Sequence, residues 1–573
     1  MSTYYSNDKT TQIVLSILKA NGIRKVIVSP GTTNIALVGS MQYDSFFELY
    51  SAVDERSAAY MACGLAYESG EPVVLSCTEA TASRNYYPGL TEAYYRKLPV
   101  LAITGNHGIH EIGHLKPQVI DRSVISKDAV KLSINLGKCK DKNDEWDINV
   151  KTNMAILELT RDGGGPVHIN LAFSSNYYGT KVLPSTRIIK RYSTNDNLPT
   201  LTNGRIAIFI GSHKPWTPSE LQAIETFCDN HNAIVICDKT SGYTGKYRID
   251  YAIIAAQVSY NSPTSTPDLL IHIGEISGDT YTQNKLKSKK TWRVNEDGKV
   301  CDTFRNLENL FYMSESYFFN YYNNKNIVNS NEYFEACKKE YNSITSKLPQ
   351  IPFSNIWVAE FLSNKIPDKS YIHFGIFNSL RSWNFVNISA NIHSSCNVGG
   401  FGIDGTLSTV LGASLAHPHQ LHFIVLGDLA FFYDMNALGN RHWGNNIRIL
   451  LINNGRGTEF RKFDHPCIVF GEKADPYMAA SGHYSNKSKR LVSNYVSCLG
   501  FKYITASTKE EFESVFEEFI TPKITEQPII FEIFTDSRNE SIAINSYRNI
   551  IKDNISQIKN KLKSTAKYLK GKI

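Results

Sequence analysis

Residues 425–457 read VLGDLAFFYDMNALGNRHWGNNIRILLINNGRG. An apolar run ends in Gly427-Asp428-Leu429, a helix-period segment of about 20 residues follows, and a second apolar run, IRILLINN, ends in Asn453-Asn454. Continuous Val, Ile and Leu runs of this length describe strands covered on both faces of a parallel sheet. Parallel strands end on the same edge, so Asp428 and Asn454 converge there although 26 positions separate them. A carboxylate oxygen, an amide oxygen and a nearby main-chain carbonyl suit a hard divalent cation, and Mg²⁺ held this way usually also carries phosphate oxygens. Gly427 lets the backbone approach such phosphates. Taken alone, the Gly-Asp-Leu is equally a turn and the Asn-Asn a loop, because Gly, Asp and Asn are common turn residues.

Working outward, YIHFG (371–375), HFIVLGD (422–428), IRILLINN (447–454) and PIIFEIF (528–534) form one block of strands separated by helical patterns. RKVIVSP (24–30), EPVVLSC (71–77), LPVLAITG (98–105) and GPVHINLA (165–172) form another, with helices expected near 54–68 and 80–96. Between them lie RIAIFIGS (205–212), AIVICD (233–238) and LLIHIG (269–274), a Rossmann-like unit whose first strand ends in GSHKPW rather than GxGxxG, so no dinucleotide is expected there. The class is α/β, with three doubly wound domains over 1–182, 200–345 and 350–540. Residues 180–203 have no periodic apolar face and two prolines, and read as a linker.

The chain has 573 residues, of which 42% are hydrophobic, enough for several cores. Its net charge of +7 is accounted for by residues 541–573, where eight Lys and Arg face one acid, Asp553. The body is therefore neutral, and no nucleic-acid partner is expected. In the tail, Ile544, Tyr547, Ile551, Ile555, Ile558, Leu562 and Leu569 recur at helical spacing opposite a Lys-rich face. This basic amphipathic helix either docks on its own protein or, through residues 544–573, makes peripheral contact with an anionic membrane. Ten scattered cysteines without a CxxC pair, a polar N-terminus and no run of about 18 apolar residues lead us to expect a reduced, cytoplasmic protein.

The Gly-Asp strand end followed by Asn-Asn at the next resembles the diphosphate and magnesium motif of thiamine-diphosphate-dependent enzymes. A distant region agrees: SAVDERSAAYMACGLAYESGEPVVLSCTEATASRNYYPGL (51–90) is similar to the part of that family holding the cofactor glutamate, which falls on Glu55. By itself Glu55 is an ordinary acid in a first helical turn. The motifs Ser29-Pro30-Gly31, Asp54 to Ser57, Asn85 to Pro88, Gln118 before Ile120-Asp121, Asn378-Ser379, Gly402-Ile403-Asp404-Gly405 and GDLAFFYDMNAL look like the MenD-like branch, the 2-succinyl-5-enolpyruvyl-6-hydroxy-3-cyclohexene-1-carboxylate synthases, over about 540 residues. The resemblance implies thiamine diphosphate and Mg²⁺ as cofactors, and a pyrimidine-binding, a central and a diphosphate-binding domain in that order. It implies that Glu55 faces N1′ of the aminopyrimidine, with Asn85 beside it and Gln118 among the catalytic residues. Ile403, in the Gly402 turn, would prop the cofactor in its bent form. Asn378, Ser379, Gly427 and Leu429 would approach the diphosphate, and Asp428, Asn454 and the Arg456 carbonyl would hold the metal. Because Glu55 and Asp428 face each other across subunits in this family, a homodimer or homotetramer is implied.

The branch reads carboxylate-rich substrates with arginines, and this chain departs from that pattern. Thr32 and Thr33 stand where the branch has Ser-Arg, Asn106-His107-Gly108 where it has Asp-Arg-Pro, Val398 in place of a further arginine, and Gly278-Asp279-Thr280 in place of Gly-Lys-Arg. Four missing cations argue against isochorismate as acceptor, since unpaired carboxylates cost several kcal/mol. His107, His110 and His114 lie in the loop that brings histidines to the cofactor in related 2-oxoacid decarboxylases; each is either an acid or base or a surface-loop histidine. Arg456, Glu459, Arg461 and His465 after the metal loop, and Arg381 after the phosphate loop, are candidates to read the substrate, Arg381 and Arg461 above all for a carboxylate, or else solvated loop charges. The expected function is a lyase or carboligase that decarboxylates a 2-oxoacid and transfers the acyl anion to a polar acceptor, a sugar or other carbonyl metabolite. The alternatives are simple decarboxylation and a catalytically idle cofactor-binding scaffold recruited by its tail.

Overall fold

Residues 4–122, 124–172, 177–201, 203–325, 327–483 and 488–551 are described by the computed structural model. The chain divides into two units, one of residues 1–198 with 295–313, the other of residues 199–294 with 314–573.

The first unit is built on a six-stranded parallel sheet whose order is Glu48–Ser51, Lys25–Val28, Val73–Cys77, Val100–Asn106, Val167–Ala172, Leu132–Leu136. Period-two alternation sends Val26, Val74, Leu101 and Ile103 to one face, where they pack with Ile13, Ile17 and Ile148. Ile27, Val73, Leu75, Val100 and Ala102 go to the other face, against Ala58, Ala59, Ala62 and Leu90. Apolar pattern and double covering therefore have one cause, and each buried Val, Leu or Ile contributes about 1.5–3 kcal/mol. The helix expected near 54–68 is Glu55–Ser69, capped by Asp54, whose side chain accepts from Ser57 N at 3.0 Å, and closed by left-handed Gly70. The helix expected over 80–96 is instead two, Thr81–Asn85 and Tyr87–Tyr95. Pro88, without an N–H, starts the second rather than continuing the first. The stretch 180–203, expected as a linker, contains strand Lys190–Ser193, which pairs in parallel with Leu307–Tyr312. Tyr192 stacks on Phe311 at 5.5 Å, a partner that lies too far along the chain to leave a local periodicity.

In the second unit, strands run in the order Arg248–Ile249, Ala233–Cys237, Ile206–Ile210, Leu269–Ile273, Lys290–Asn295, all parallel. At the point where this order reverses, Glu275 N donates to Ser212 O at 2.8 Å and Ser212 N to Ile276 O at 3.1 Å. A Cβ on Gly211 would meet Glu275 O at 1.8 Å. The crevice is filled by its own backbone.

The other sheet of this unit has the order His393–Cys396, Tyr371–Phe374, His422–Gly427, Ile447–Asn453, Ile529–Phe534, Lys502–Ala506. Numbered along the chain this is 2-1-3-4-6-5, the order of the first unit's sheet. Phe423, Val425, Leu450 and Ile452 pack on one side, Ile424, Leu426, Ile449 and Leu451 on the other. The helix of about 20 residues expected after Asp428 is shorter: Asp428–Tyr433, then a tight turn over Met435–Gly439. Asp434 ends it by accepting from Ser408 N and Oγ, both at 2.6 Å.

The start of the basic tail docks on this unit. Within helix Ser537–Tyr547, Ile544 and Tyr547 are buried. Tyr547 donates to Glu360 at 2.8 Å, and Ile550 and Ile551 N–H groups donate to Gln257 Oε1 at 3.0 and 3.1 Å. The rest of the expected helix, residues 552–573 with Ile555, Ile558, Leu562 and Leu569, lies outside the described residues. Among the described residues no helix is long and apolar enough to cross a membrane.

Candidate active site

The order 2-1-3-4-6-5 places a reversal between the strands Tyr371–Phe374 and His422–Gly427, and ligands of open parallel sheets bind outside the carboxyl ends at such a reversal. A cavity of about 570 Å³ opens there. Its walls are the turn after the first strand (Ile376 to Ser379), the Gly402-Ile403 turn, the Gly427 to Ala430 corner and the loop from Asn454 to Phe460.

Gly427 leaves strand His422–Gly427 at φ −80°, and a Cβ there would touch nothing within 4 Å, so the glycine leaves open space beside the backbone. Asp428 is buried, accepting from Leu429 N at 2.8 Å and Gly455 N at 2.6 Å. Burial pushes its carboxyl up to about 7 against those hydrogen bonds. The two asparagines divide the work. Asn453 turns into the sheet and donates to Glu532 at 2.6 Å, whereas Asn454 lines the cavity and accepts from Thr458 Oγ1 at 2.7 Å. Asp428, Asn454 and Arg456 all line this cavity, and carboxylate, amide and main-chain carbonyl oxygens are the kind of donors a hard cation takes. Phe377 has φ +63°, strained for a bulky side chain, and opens the short helix Asn378–Asn384. Ser379 is buried and receives Asn355 Nδ2 at 3.4 Å. Ile403 packs against the apolar cluster that includes Leu407 and Val410, and with Gly402 it lines the cavity.

The cations of this region are already engaged. Arg381 donates to Asn378 Oδ1 at 2.7 Å and to Glu459 at 2.8 and 3.3 Å, while Lys462 reaches Glu459 at 2.9 Å. Burial opposes the Glu459 charge, but Arg381 and Lys462 hold its carboxyl below the usual range. Arg456 pairs with Asp475 at 2.6 Å, and Arg461 approaches the same carboxylate at 3.5 Å. Two cavity residues escaped the sequence reading. Glu540 accepts from Asn355 N at 3.0 and 3.1 Å and from Thr535 Oγ1 at 2.8 Å, and burial pushes it up to about 7. Asn355 Oδ1, beside it, is buried without a hydrogen-bond partner among the described residues. Helix periodicity alone gave no signal for either.

In the first unit, a Cβ on Gly89 would meet Ala59 Cβ at 2.4 Å, so helices Glu55–Ser69 and Tyr87–Tyr95 approach closely. Asn85, at the end of the preceding helix, donates to Glu55 Oε2 at 3.4 Å. Glu55 is half-buried. Thr33 is buried against Thr78, Oγ to Oγ 2.5 Å, while Thr32 is exposed. A second cavity, about 480 Å³, is lined by Pro30, Gly31 and Asn34. The three loop histidines part company: His107 pairs with buried Glu79, His110 is exposed 3.6 Å from Glu111, and His114 is exposed. Gln118 is exposed at φ +67°.

Residues 8–125 match the thiamine pyrophosphate enzyme N-terminal TPP binding domain. The chain is 29% identical to 2-succinyl-5-enolpyruvyl-6-hydroxy-3-cyclohexene-1-carboxylate synthase of Phocaeicola vulgatus, over 96% of this chain and 99% of that protein. It is also 29% identical to that of Bacteroides thetaiotaomicron, over 97% and 100%. Identity to that of Flavobacterium psychrophilum is 28%, over 95% and 100%. With this matched domain, and over nearly its full length, the chain is similar to thiamine-diphosphate-dependent enzymes that act on carbon–carbon bonds.

Proposed function

We propose that the protein is a Mg²⁺- and thiamine-diphosphate-dependent lyase or carboligase that decarboxylates a 2-oxoacid and transfers the acyl anion to a polar acceptor carbonyl. One observation carries this reading: Gly427, Asp428, Asn454, Asn378 and Ser379 all line one cavity at the reversal of a parallel sheet. The bound cofactor would supply the nucleophilic carbon and the electron sink for loss of CO₂. Asp428, Asn454 and the Arg456 carbonyl would hold the metal, Gly427, Ser379 and Asn378 would receive the diphosphate, Ile403 and Leu429 would border it, and Glu55 would hydrogen-bond N1′ of the aminopyrimidine.

The acceptor we propose is not isochorismate. Val398 is buried, and buried Asp279 is engaged by Tyr281 and Thr282 N–H groups at 3.0 and 3.1 Å, so neither position offers a cation. A hydroxyl-rich carbonyl compound, such as a sugar, suits Thr32 and Asn34 better than a polycarboxylate does. A homodimer or homotetramer is proposed as the working unit. Tyr60, Met61 and Tyr67 are exposed on helix Glu55–Ser69, an apolar face of the kind that subunits cover. We place the protein in the cytoplasm.

The test is CO₂ release from pyruvate, 2-oxobutyrate and 2-oxoglutarate with thiamine diphosphate and Mg²⁺, followed by product analysis with added aldehydes. A new carbon–carbon bond supports carboligation, and a free aldehyde product supports simple decarboxylation. Cofactor binding without CO₂ from any acid would leave the scaffold reading. Asp428→Ala should abolish metal-dependent cofactor binding in calorimetry.

A further inference from the structure

Three side chains at the carboxyl edge of the first sheet form a cluster that cofactor binding leaves without a role. Glu79 follows strand Val73–Cys77, His107 follows the neighbouring strand Val100–Asn106, and Arg122 returns on the loop beyond Gln118. Glu79 is 2% exposed and Arg122 5%. His107 Nδ1 lies against Glu79 Oε1. Arg122 Nη2 stands 3.9 Å from Glu79 Oε2 and donates to Gly105 O at 2.8 Å. The residue after Glu79, Ala80, has φ +55° and ψ −131°, a conformation that costs on the order of 1–3 kcal/mol and persists only where the surroundings impose it.

A carboxylate buried this deeply must be paired and must have its lone pairs satisfied. Arg122 supplies the opposite charge on the side of Oε2. Oε1 has no hydrogen-bond donor assigned to it among the described residues, and with His107 Nδ1 against it, a hydrogen on that nitrogen is what would satisfy it. In the neutral ring a hydrogen on Nδ1 leaves Nε2 with a free lone pair. His107 is 44% exposed, so the ring keeps an open side while its Nδ1 edge is held. His110, 69% exposed with only Glu111 at 3.6 Å, has no comparable support. Both the Glu55 carboxylate and the Arg122 guanidinium act on the Cys77 thiol, which burial first of all pushes up to about 12. The cluster therefore shares its sheet edge with the glutamate assigned to the cofactor.

We propose that Glu79, backed by Arg122, is a positioning residue that fixes His107 as its Nδ1–H tautomer and presents Nε2 as a proton acceptor to a substrate hydroxyl. The O–H bond of the substrate breaks, an Nε2–H bond forms, and the resulting imidazolium faces ionised Glu79. The same Nε2–H returns the proton later, so no other reactant is consumed. The chemical use of His107 rests on the lyase reading above. The tautomer does not.

The experiment is ¹⁵N spectroscopy of the histidine rings in the full chain loaded with thiamine diphosphate and Mg²⁺, with His107→Gln identifying the His107 signals by their loss. A protonated Nδ1 and a bare Nε2 in the wild type, giving way to mixed tautomers in Glu79→Leu, is the expected result. A ring protonated on Nε2 in the wild type, or unaltered in Glu79→Leu, would overturn the proposal. Glu79→Gln, which retains an acceptor oxygen, should keep the tautomer if Glu79→Leu fails to fold. On the 2-oxoacid that releases CO₂ fastest, Glu79→Leu and His107→Gln should each lower kcat about 10²-fold with KM little changed. Their combination should fall no further, because one acts through the other. Additive losses would overturn the positioning role. A wild type silent on every 2-oxoacid would refute the lyase reading, and the ring spectra would still decide the tautomer.

Discussion

Arg381 and Glu459, the latter lining the cavity, are joined by a two-pronged ion pair, Nη1 to Oε2 at 2.8 Å and Nη2 to Oε1 at 3.3 Å. The fork geometry matches guanidinium to carboxylate, and both side chains are largely removed from water, 17% and 22% exposed. The pair takes up Arg381, one of the two arginines that the sequence offered as readers of a substrate carboxylate. Glu459→Gln should therefore act as a stability mutation, leaving a buried cation unpaired at a cost of about 3 kcal/mol. Arg381→Met with Glu459→Leu should recover most of that loss in urea unfolding. If Glu459→Gln leaves the midpoint unchanged, the pair contributes nothing.

Glu55→Gln should separate binding from turnover. The amide keeps a hydrogen-bonding group beside Asn85 but cannot exchange a proton with N1′. Calorimetry should show thiamine diphosphate bound within about 3-fold of wild type, while CO₂ release falls about 10²- to 10⁴-fold. Wild-type rates in this variant would remove Glu55 from the chemistry.

Gly427→Ala tests the diphosphate corner without disturbing the fold. Its φ of −80° suits any residue, and a Cβ meets nothing within 4 Å. Stability should stay within about 0.5 kcal/mol. Affinity for thiamine diphosphate should drop at least about tenfold, because the methyl group occupies space that the phosphates need. Equal loss in stability and affinity would contradict this.

His168 gives a pH dependence of known sign. It is buried between Thr104 Oγ1 at 2.8 Å and Ser133 Oγ at 2.9 Å, and burial, with the Arg122 and Arg84 charges, pushes its imidazole down to about 3. The unfolded chain takes up this proton near pH 6.5 and the folded chain does not, so this stabilisation is complete above about 6.5 and lost as the pH falls towards 3. Relative to His168→Gln, the wild type should lose about 1.4 kcal/mol per pH unit across that window in denaturant titrations. A constant difference between the two would show that His168 protonates freely in the fold.

The cavity at the sheet reversal was legible in outline because strand ends are local signals. An apolar run closed by Gly427-Asp428, and another closed by Asn453-Asn454, specify both the strands and the edge at which they finish. The helix between them was overestimated, since nothing in its own pattern reveals that Asp434 caps the Ser408 backbone. Glu540 and Glu79 carry no motif in the sequence. Their burial depends on Asn355 and Arg122, which lie 185 and 43 positions away.

The order of residue types along the chain determined that there would be parallel sheets and which strand ends would meet at a sheet reversal. Periodicity and turn chemistry act over a few residues, so these could be read directly. Only the tertiary structure decided which charges are spent on one another: Arg381 on Glu459, Arg456 on Asp475, His107 on Glu79. An ion pair depends on distance and on the water excluded around it, and both are set by chain segments that meet only when the sheets close.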